Sequence, residues 1–268
     1  MTIEILVCTL DEGISEVADL LLPPLPEVKY LVAWQQTHDH QPPLPASWKQ
    51  RGDLRVLTHT GSGLSRNRNF ALKHAEGDWL VIADDDNRYT PQYLQHLRHA
   101  IGLHPDAAAL QLQAADYAGQ PLRNYPPHAY EYSQRPRGAY VASCELALRR
   151  NAMLPAFDTR FGLGTYLGCG EEEVFIHQLA TSGQSVWYEP QLLVMTDAAT
   201  TGIRFSQLPA VQRGKGGVLC MMHGPWSAAL RCLKYAFTQP RLRVATRFTS
   251  LWQMFKGIVY VLTHHPLP

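Results

Sequence analysis

The sequence predicts an α/β fold in which helices flank a mostly parallel central sheet, followed by a helical C-terminal segment. Short apolar runs alternate with amphipathic stretches over the first hundred residues, which is the βαβ pattern of a parallel sheet. Beyond about residue 206 the pattern becomes helical and rich in basic and aromatic residues. We therefore expect one domain over residues 1–200 and a helical extension over residues 201–268.

The first hundred residues contain four short apolar runs separated by helical patterns. The predicted strands are residues 3–9, 28–34, 54–58 and 79–83. The predicted helices are residues 14–22, 64–75 and 91–103. Thr90 and Pro91 are typical of an N-cap and a first helical residue. Because parallel strands present their carboxyl ends at one edge, side chains that follow these strands are expected to converge there.

The rest of the chain has weaker signals. A strand is predicted over 108–114, a loop over 116–138, and a strand-like run that turns toward helix over 138–150. An amphipathic helix is predicted over 171–183, ended by Gly183, and two strand-like runs follow over 185–197.

Composition excludes several classes of protein. With 46% hydrophobic and 18% charged residues among 268, the chain is expected to fold around a core. A net charge of +1 lacks the basic excess of a nucleic-acid binder, so no nucleic-acid partner is expected. The apolar stretch 251–262 is interrupted by Gln253 and Lys256 and is too short for a span of roughly 20 residues. The N-terminus shows no signal-peptide pattern.

Cysteine usage indicates a compartment. The five cysteines are scattered and form no C-x-x-C pair, so neither a disulfide framework nor a thiolate zinc site is indicated. We expect a cytoplasmic protein that is soluble, with peripheral contact at the inner face of the membrane as an open alternative.

The strongest motif is the acidic run in WLVIADDDNRYTP, where Asp84, Asp85 and Asp86 follow a predicted strand. Adjacent carboxylates repel one another and need compensation. A divalent cation supplies it, because Mg²⁺ or Mn²⁺ prefers oxygen ligands and bridges to substrate phosphates. The alternative is a solvated acidic turn before a helix.

A second motif, GSGLSRNRNFAL, places a glycine turn before a helix that carries Arg66 and Arg68. A helix N-terminus and guanidinium groups both suit phosphate oxygens. The alternative is an ordinary turn before a surface helix with two solvated arginines.

A third motif, FGLGTYLGCGEEEVF, delivers Glu171, Glu172 and Glu173 to a predicted helix start. One glutamate is a candidate general base, whereas acids at this position also simply complement the helix dipole. His38 and His40 are weaker metal candidates in a proline-rich loop.

Taken in order, these motifs resemble the family-two glycosyltransferases of bacterial surface-polysaccharide assembly. The matching order is ILVCTLDE, GLSRNRNFAL, LVIADDDNRYTP and FGLG…CGEEEVF, and the resemblance covers roughly residues 3–200. It implies a glycosyltransferase A-type fold, which has a Rossmann-like, mostly parallel sheet. Residues 1–200 are then the nucleotide-sugar-binding catalytic domain.

The resemblance also implies roles for particular residues. Asp86 is the direct metal ligand, and Asp84, a second candidate ligand, lies nearer the nucleotide sugar together with Asp85. Glu172 falls at the base position, with Glu171 or Glu173 as a substitute because the second acid here is Glu rather than Asp.

The remaining implied contacts are to the donor nucleotide. Its candidate ligands are Thr9, Asp11, Gln35, Arg66, Arg68 and Asn69. Gln35 or Gln36 stands where the family has an acidic pair that reads the base, and Asp197 stands near the family's late histidine.

The activity that the resemblance implies is an inverting hexosyl transfer from a nucleoside-diphosphate sugar, expected to be a UDP sugar, with Mn²⁺ or Mg²⁺ as cofactor. The acceptor is a glycan or a lipid-linked molecule. The C-terminal helices either rest on a membrane or pack against the catalytic domain. Two alternatives stay open: a haloacid-dehalogenase-like phosphohydrolase, against which Arg88 counts, and a nonenzymatic protein that binds sugar nucleotides.

Overall fold

The computed structural model describes residues 1–197, 205–239 and 244–266, with the backbone alone at residues 244 and 245. The chain divides into two compact units. The first unit is residues 1–62, 67–155 and 178–198, and the second is residues 63–66, 156–177 and 199–268. The second unit therefore contains, besides the C-terminal helices, two segments that the sequence placed in the first domain.

A mixed sheet of eight strands forms the first unit, counted over the described residues. The strands are β1 Ile3–Leu10, β2 Val28–Gln36, β3 Leu54–Thr60, β4 Trp79–Asp84, β5 Ala109–Ala115, β6 Tyr130–Glu131, β7 Leu146–Arg149 and β8 Val186–Met195. Their order in the sheet is β3-β2-β1-β4-β7-β5-β8-β6. The neighbours β3, β2, β1 and β4 are parallel, as are β5 and β8, while β7 and β6 run antiparallel to their neighbours. The prediction of a mostly parallel sheet is confirmed.

The α-helices of the described chain are α1 Leu64–His74, α2 Pro91–Leu103, α3 Glu171–Thr181, α4 Pro209–His223, α5 Pro225–Thr238 and α6 Val244–Thr263. Shorter 3₁₀ helices cover Asp11–Asp19, Ala46–Gln50, Tyr132–Gln134 and Ser143–Glu145. The predicted cap of α2 is present, because the Thr90 hydroxyl accepts a hydrogen bond from the Tyr93 amide at 3.2 Å. The five cysteines are free thiols.

Three predicted elements differ from the structure. The helix expected over 14–22 is a 3₁₀ helix that begins at Asp11. The run 138–150 does not continue into an α-helix; a 3₁₀ turn leads into β7 instead. The two runs over 185–197 form one strand whose pairing with β5 shifts register between Gln111 and Gln113. Opposite this shift, between Tyr188 and Leu192 of β8, lies Pro190. Proline has no N–H to donate to the neighbouring strand, so regular pairing is interrupted there.

The interior strand β1 is buried on both faces, as expected for a parallel strand covered by helices. Its charged residue, Glu4, is fully buried and needs partners. The Glu4 carboxylate accepts hydrogen bonds from Arg55 at 2.8 Å and from the backbone amides of Glu76 at 2.5 Å and Gly77 at 2.7 Å. This buried carboxylate therefore fixes the turn before β4 to the first strand.

In the second unit, α4, α5 and α6 pack around a small apolar core that includes Val218, Cys232 and Met254. Helices α4 and α6 touch backbone to backbone at two glycines. A Cβ on Gly216 would lie 1.9 Å from the Met254 carbonyl oxygen, and one on Gly257 would lie 1.9 Å from the Arg213 carbonyl oxygen. This crossing requires glycine, since any side chain would force the helices apart.

We predict that Gly216→Ala lowers the free energy of unfolding by about 1–3 kcal/mol, the usual effect of overpacking. The matched control is Gly102→Ala on α2, where an added Cβ meets nothing within 4 Å. Alanine there is expected to be neutral or to stabilise by up to about 1 kcal/mol. Urea unfolding followed by circular dichroism measures both, and equal effects would contradict the close crossing.

Candidate functional site

The acidic run lies at the carboxyl end of β4, next to β1 in the sheet. Asn87, which is fully buried, shapes this turn. Its side-chain oxygen accepts from the Asp84 amide at 3.0 Å, and its side-chain nitrogen donates to the Asp86 carboxylate at 3.0 Å. The turn therefore holds Asp84 and Asp86 in fixed positions before α2 begins.

Asp85 faces back toward the end of β1. The Thr9 hydroxyl donates to its carboxylate at 2.6 Å, and a Cβ on Gly13 would lie 2.4 Å from the same oxygen. Burial raises the pKa of Asp85, the charges of Asp84 and Asp86 raise it further, and the Thr9 hydrogen bond opposes them. Thr9 thus lies beside the acidic turn, as its place at a strand end predicts.

Asp86, which follows β4, contacts the residues that follow β8. Its carboxylate accepts from the Thr196 hydroxyl at 2.9 Å and from the Asp197 amide at 3.4 Å. Burial raises the pKa of Asp86, and the Asp84 charge adds to that effect, as does Asp197. A carboxylate whose charge is disfavoured by burial and by like charges is a candidate for cation binding.

Arg68 on α1 places a positive charge beside the acidic run. Its side chain is 1% exposed and donates to the Asp84 carboxylate at 2.9 Å and to the Ser143 hydroxyl at 2.8 Å. The sequence suggested a diphosphate contact for this arginine, whereas the structure places it against Asp84. Asn69 is half-buried on the same helix, and Arg66 is exposed in the second unit.

The segment before β7 is fixed by a buried carboxylate that the sequence did not single out. Glu145 accepts hydrogen bonds from Tyr125 at 2.7 Å and from Gln111 at 2.9 Å, and it pairs with Arg123. Burial raises the pKa of Glu145 despite these partners. This network holds Ser143, whose hydroxyl lies 3.5 Å from the Asp84 carboxylate.

Sequence reasoning also missed Asn67. This residue is 2% exposed, and its side-chain nitrogen donates to the carbonyl oxygens of Thr9 and Ala33, each at 3.0 Å. It therefore joins the carboxyl ends of β1 and β2. Helical spacing offered a signal, since residue 67 lies between Leu64 and Ala71 on one face of α1.

Asp11 and Gln35 lie near the ends of β1 and β2. Asp11 accepts from the Thr37 hydroxyl at 2.6 Å, the Thr37 amide at 2.8 Å and Gln41 at 2.8 Å. Burial would raise the pKa of Asp11, but the hydrogen bonds from Thr37 and Gln41 outweigh it and lower the pKa. Gln35 is buried, and its amide nitrogen lies 3.8 Å from the Cβ position of Gly61 in the glycine turn.

Two places in the first unit offer ligands for a cation. Among the described residues, one group of three (Asp11, Glu12 and His38) brings its ligand atoms within 4.8 Å of one another. Both Asp11 oxygens accept hydrogen bonds, as both Asp86 oxygens do. Glu12 and His38 differ from the acidic turn in being exposed. A cation that bridges to a diphosphate needs only one or two carboxylates. The acidic turn offers three consecutive carboxylates at the carboxyl end of β4, the edge where such sheets bind ligands.

The second unit carries the glutamate motif at the start of α3. Glu171 is 5% exposed, and a Cβ on Gly162 would lie 3.3 Å from its carboxylate. Gly162 has φ of +100°, a conformation that favours glycine. Glu172 and Glu173 are half-buried. Burial, then the charges of Glu172 and Glu171, raise the pKa of Cys169, which argues against a thiolate nucleophile there.

We predict that Arg68→Ala lowers the free energy of unfolding by about 1–3 kcal/mol, because it leaves Asp84 without its ion-pair partner. The estimate is below that for a fully buried pair, since the Asp84 side chain is 34% exposed. Arg66→Ala, two residues away and exposed, is expected to stay within about 0.5 kcal/mol. Equal losses in thermal unfolding of the two variants would refute the structural role of Arg68.

The comparison with known proteins adds family and fold. Residues 34–154 match the family model described as glycosyl transferase family 2. No protein with a curated description matches the sequence. The crystal structure of S. aureus TarS 1-349 shares 14% identity with a TM-score of 0.59, covering 96% of this chain and 81% of that one.

The same TarS segment in complex with UDP shares 16% identity with a TM-score of 0.54, over 96% of this chain and 81% of that one. Its complex with UDP-GlcNAc shares 14% identity with a TM-score of 0.52, over 96% and 82%. At such identities the likeness shows the fold. The family match over residues 34–154 and this fold together support a glycosyltransferase with a family 2 domain and a glycosyltransferase A-type fold.

Proposed function

We propose that this glycosyltransferase is a metal-dependent, inverting enzyme that acts in the cytoplasm in polysaccharide biosynthesis. Its donor is a UDP sugar, and its acceptor is a hydroxyl of a glycan or a lipid-linked molecule. The observation that carries the proposal is the cluster of Asp84, Asp85 and Asp86 at the carboxyl end of β4, where the pKa values of Asp85 and Asp86 are raised. The TarS structures with UDP and UDP-GlcNAc support the choice of donor.

The three carboxylates have different tasks in this proposal. Asp86 and Asp84 hold Mn²⁺ or Mg²⁺, and the cation neutralises charge on the leaving diphosphate when it is bound. Thr196 and Asn87 fix the Asp86 carboxylate by hydrogen bonds of 2.9 and 3.0 Å. The Asp85 carboxylate accepts a hydrogen bond from Thr9 at the end of β1. Asp85 is therefore proposed to hold the turn against β1 and to border the donor.

Arg68 acts through Asp84. Its guanidinium donates a charge-assisted hydrogen bond of 2.9 Å that fixes the orientation of the Asp84 carboxylate. Thr9, Asp11, Gln35, Arg66 and Asn69 are proposed to border the nucleotide, as the family resemblance implies.

The proton acceptor is proposed to be Glu172. Its carboxylate takes the proton of the acceptor hydroxyl, whose oxygen then attacks the anomeric carbon from the face opposite the diphosphate. The new bond joins the acceptor oxygen to that carbon, and the bond from the carbon to the diphosphate breaks, so that UDP leaves. Glu171 is packed against Gly162, whereas Glu172 and Glu173 are half-buried. Of these two, the family resemblance places Glu172 at the base position.

A cavity of about 340 Å³ in the first unit supports a saccharide acceptor. Gln111, Tyr188 and Tyr130 are paired across β5, β8 and β6, so they share one face of the sheet there and form one wall. Tyr140, which is 48% exposed, lines the same cavity. Aromatic rings beside polar groups suit a sugar ring, which has apolar C–H faces and hydroxyl edges.

The metal dependence is tested by calorimetry with UDP. We expect UDP affinity to fall at least tenfold, about 1.4 kcal/mol, when excess chelator replaces Mn²⁺. Asp86→Asn is expected to show the weak affinity even with Mn²⁺ present. The control is Asp106→Asn, which removes an exposed carboxylate of the first unit and should bind UDP normally. Equal affinity of the unaltered protein in Mn²⁺ and in chelator would refute the metal site.

The base is tested by Glu172→Gln, which keeps the side-chain shape and removes the proton-accepting charge. We expect sugar transfer to fall about a hundredfold or more, while metal-dependent UDP affinity stays unchanged. Transfer is measured as UDP release from UDP-GlcNAc with a panel of oligosaccharide and polyprenyl-phosphate acceptors. Glu171→Gln and Glu173→Gln are the matched controls. If transfer is lost in one of those variants instead, that glutamate is the base. If all three variants keep full activity, none of these glutamates is the base.

A further inference from the structure

Helix α5 in the second unit carries its large apolar side chains on the outside. Trp226, Leu230, Leu233 and Phe237 recur at helical spacing along one stripe and are 86%, 71%, 45% and 43% exposed. The stripe that packs into the core consists of small residues instead: Ala228, Cys232 and Ala236. An ordinary surface helix has the reverse pattern, so the outer stripe is not explained by folding of the second unit.

Helix α6 continues this surface. Phe248, Trp252, Val259 and Leu262 are 68%, 61%, 57% and 59% exposed, again at helical spacing. The rings of Phe237 and Phe248 meet edge to face with centroids 5.7 Å apart, so the stripes of α5 and α6 join. We call these eight side chains the α5–α6 face. A continuous exposed apolar surface of this kind marks a binding site.

Charge indicates what this face binds. Residues 198–268 contain nine of the 24 lysines and arginines of the chain and none of its 23 acidic residues. Arg231 and Lys234 are exposed next to the α5 stripe, and the Lys256 ammonium lies 5.7 Å above the Trp252 ring. Such a cationic segment would repel a second copy of itself but is attracted to a surface of anionic lipids.

We propose that the α5–α6 face is a membrane-docking surface that lies in the headgroup region of a bilayer containing anionic lipids. Tryptophan, phenylalanine and leucine enter the boundary between headgroups and acyl chains, and the flanking cations contact lipid phosphates. This is a contact in the plane of the membrane. Within the part of the chain that the structure describes, no helix is long and apolar enough to cross a bilayer.

The docking site goes beyond the proposed reaction, since none of its residues is assigned to donor, metal or proton transfer. Membrane docking explains why α5 and α6 expose large apolar side chains, which packing of the second unit does not explain. It also provides a way to reach a lipid-linked acceptor at the membrane surface. Failure of the reaction and failure of the docking site can be measured separately.

The test is co-sedimentation with vesicles, read together with tryptophan emission. We expect the protein to bind vesicles of phosphatidylcholine with phosphatidylglycerol, with a blue shift of emission, and to bind phosphatidylcholine alone far more weakly. The double variant Trp226→Gln/Trp252→Gln is expected to lose binding at least tenfold. Arg231→Gln/Lys234→Gln should lose about fivefold for each cation removed, at about 1 kcal/mol per cation.

The matched control is Leu103→Gln/Met153→Gln, which removes two large apolar side chains of the first unit that are 52% and 74% exposed. It should bind vesicles like the unaltered protein. Calorimetry with UDP reports whether each variant is folded and keeps its donor site. Absence of vesicle binding, or binding that the double tryptophan variant retains, would overturn the proposal. A dimer in light scattering that the same variant abolishes would assign the face to self-association instead.

Discussion

The ion pair between Arg68 and Asp84 is the interaction on which the arrangement of the first unit's site depends. Three consecutive carboxylates follow a buried strand, where burial, and after it their mutual repulsion, raises the pKa of Asp85 and Asp86. A buried guanidinium 2.9 Å from Asp84 pairs with the first carboxylate of the turn and orients it. Hydrogen bonds stabilise the other two carboxylates: Asp85 accepts from Thr9, and Asp86 accepts from Asn87 and Thr196.

The order of the sheet makes these contacts available. Strand β4 lies between β1 and β7, so Thr9 at the end of β1 reaches Asp85 and Ser143 just before β7 reaches Arg68 and Asp84. The end of β8 comes to the same edge through the paired backbones of Arg88 and Met195. Residues far apart in the chain therefore meet where parallel strands end, which is where such folds bind ligands.

In the second unit, the packing of α4, α5 and α6 depends on small residues. Glycines let α4 and α6 touch, and small residues of α5 fill the remaining space in the core. Large apolar side chains are thereby left on the outer surface, beside a segment that has cations and no acids. Apolar exposure and an excess of positive charge therefore occur in the same segment, and an anionic lipid surface would contact both.

Local signals in the sequence determined most of the element pattern. The cap formed by Thr90 and Pro91 predicted the observed start of α2, and apolar runs predicted the first four strands to within two residues. The resemblance in motif order predicted the family, which the match over residues 34–154 confirms. These features depend on neighbours a few residues apart, and the sequence contains that information directly.

Tertiary structure alone decided the features that depend on distant partners. Arg68 contacts Asp84 rather than solvent, and Asn67 joins two strands through carbonyl groups that carry no sequence signature. Glu145 is the last residue of the 3₁₀ turn before β7, and its partners Arg123, Tyr125 and Gln111 come from other segments of the chain. The pKa values of Asp85 and Asp86 follow in the same way from burial, a property that the folded chain creates and that no short segment possesses.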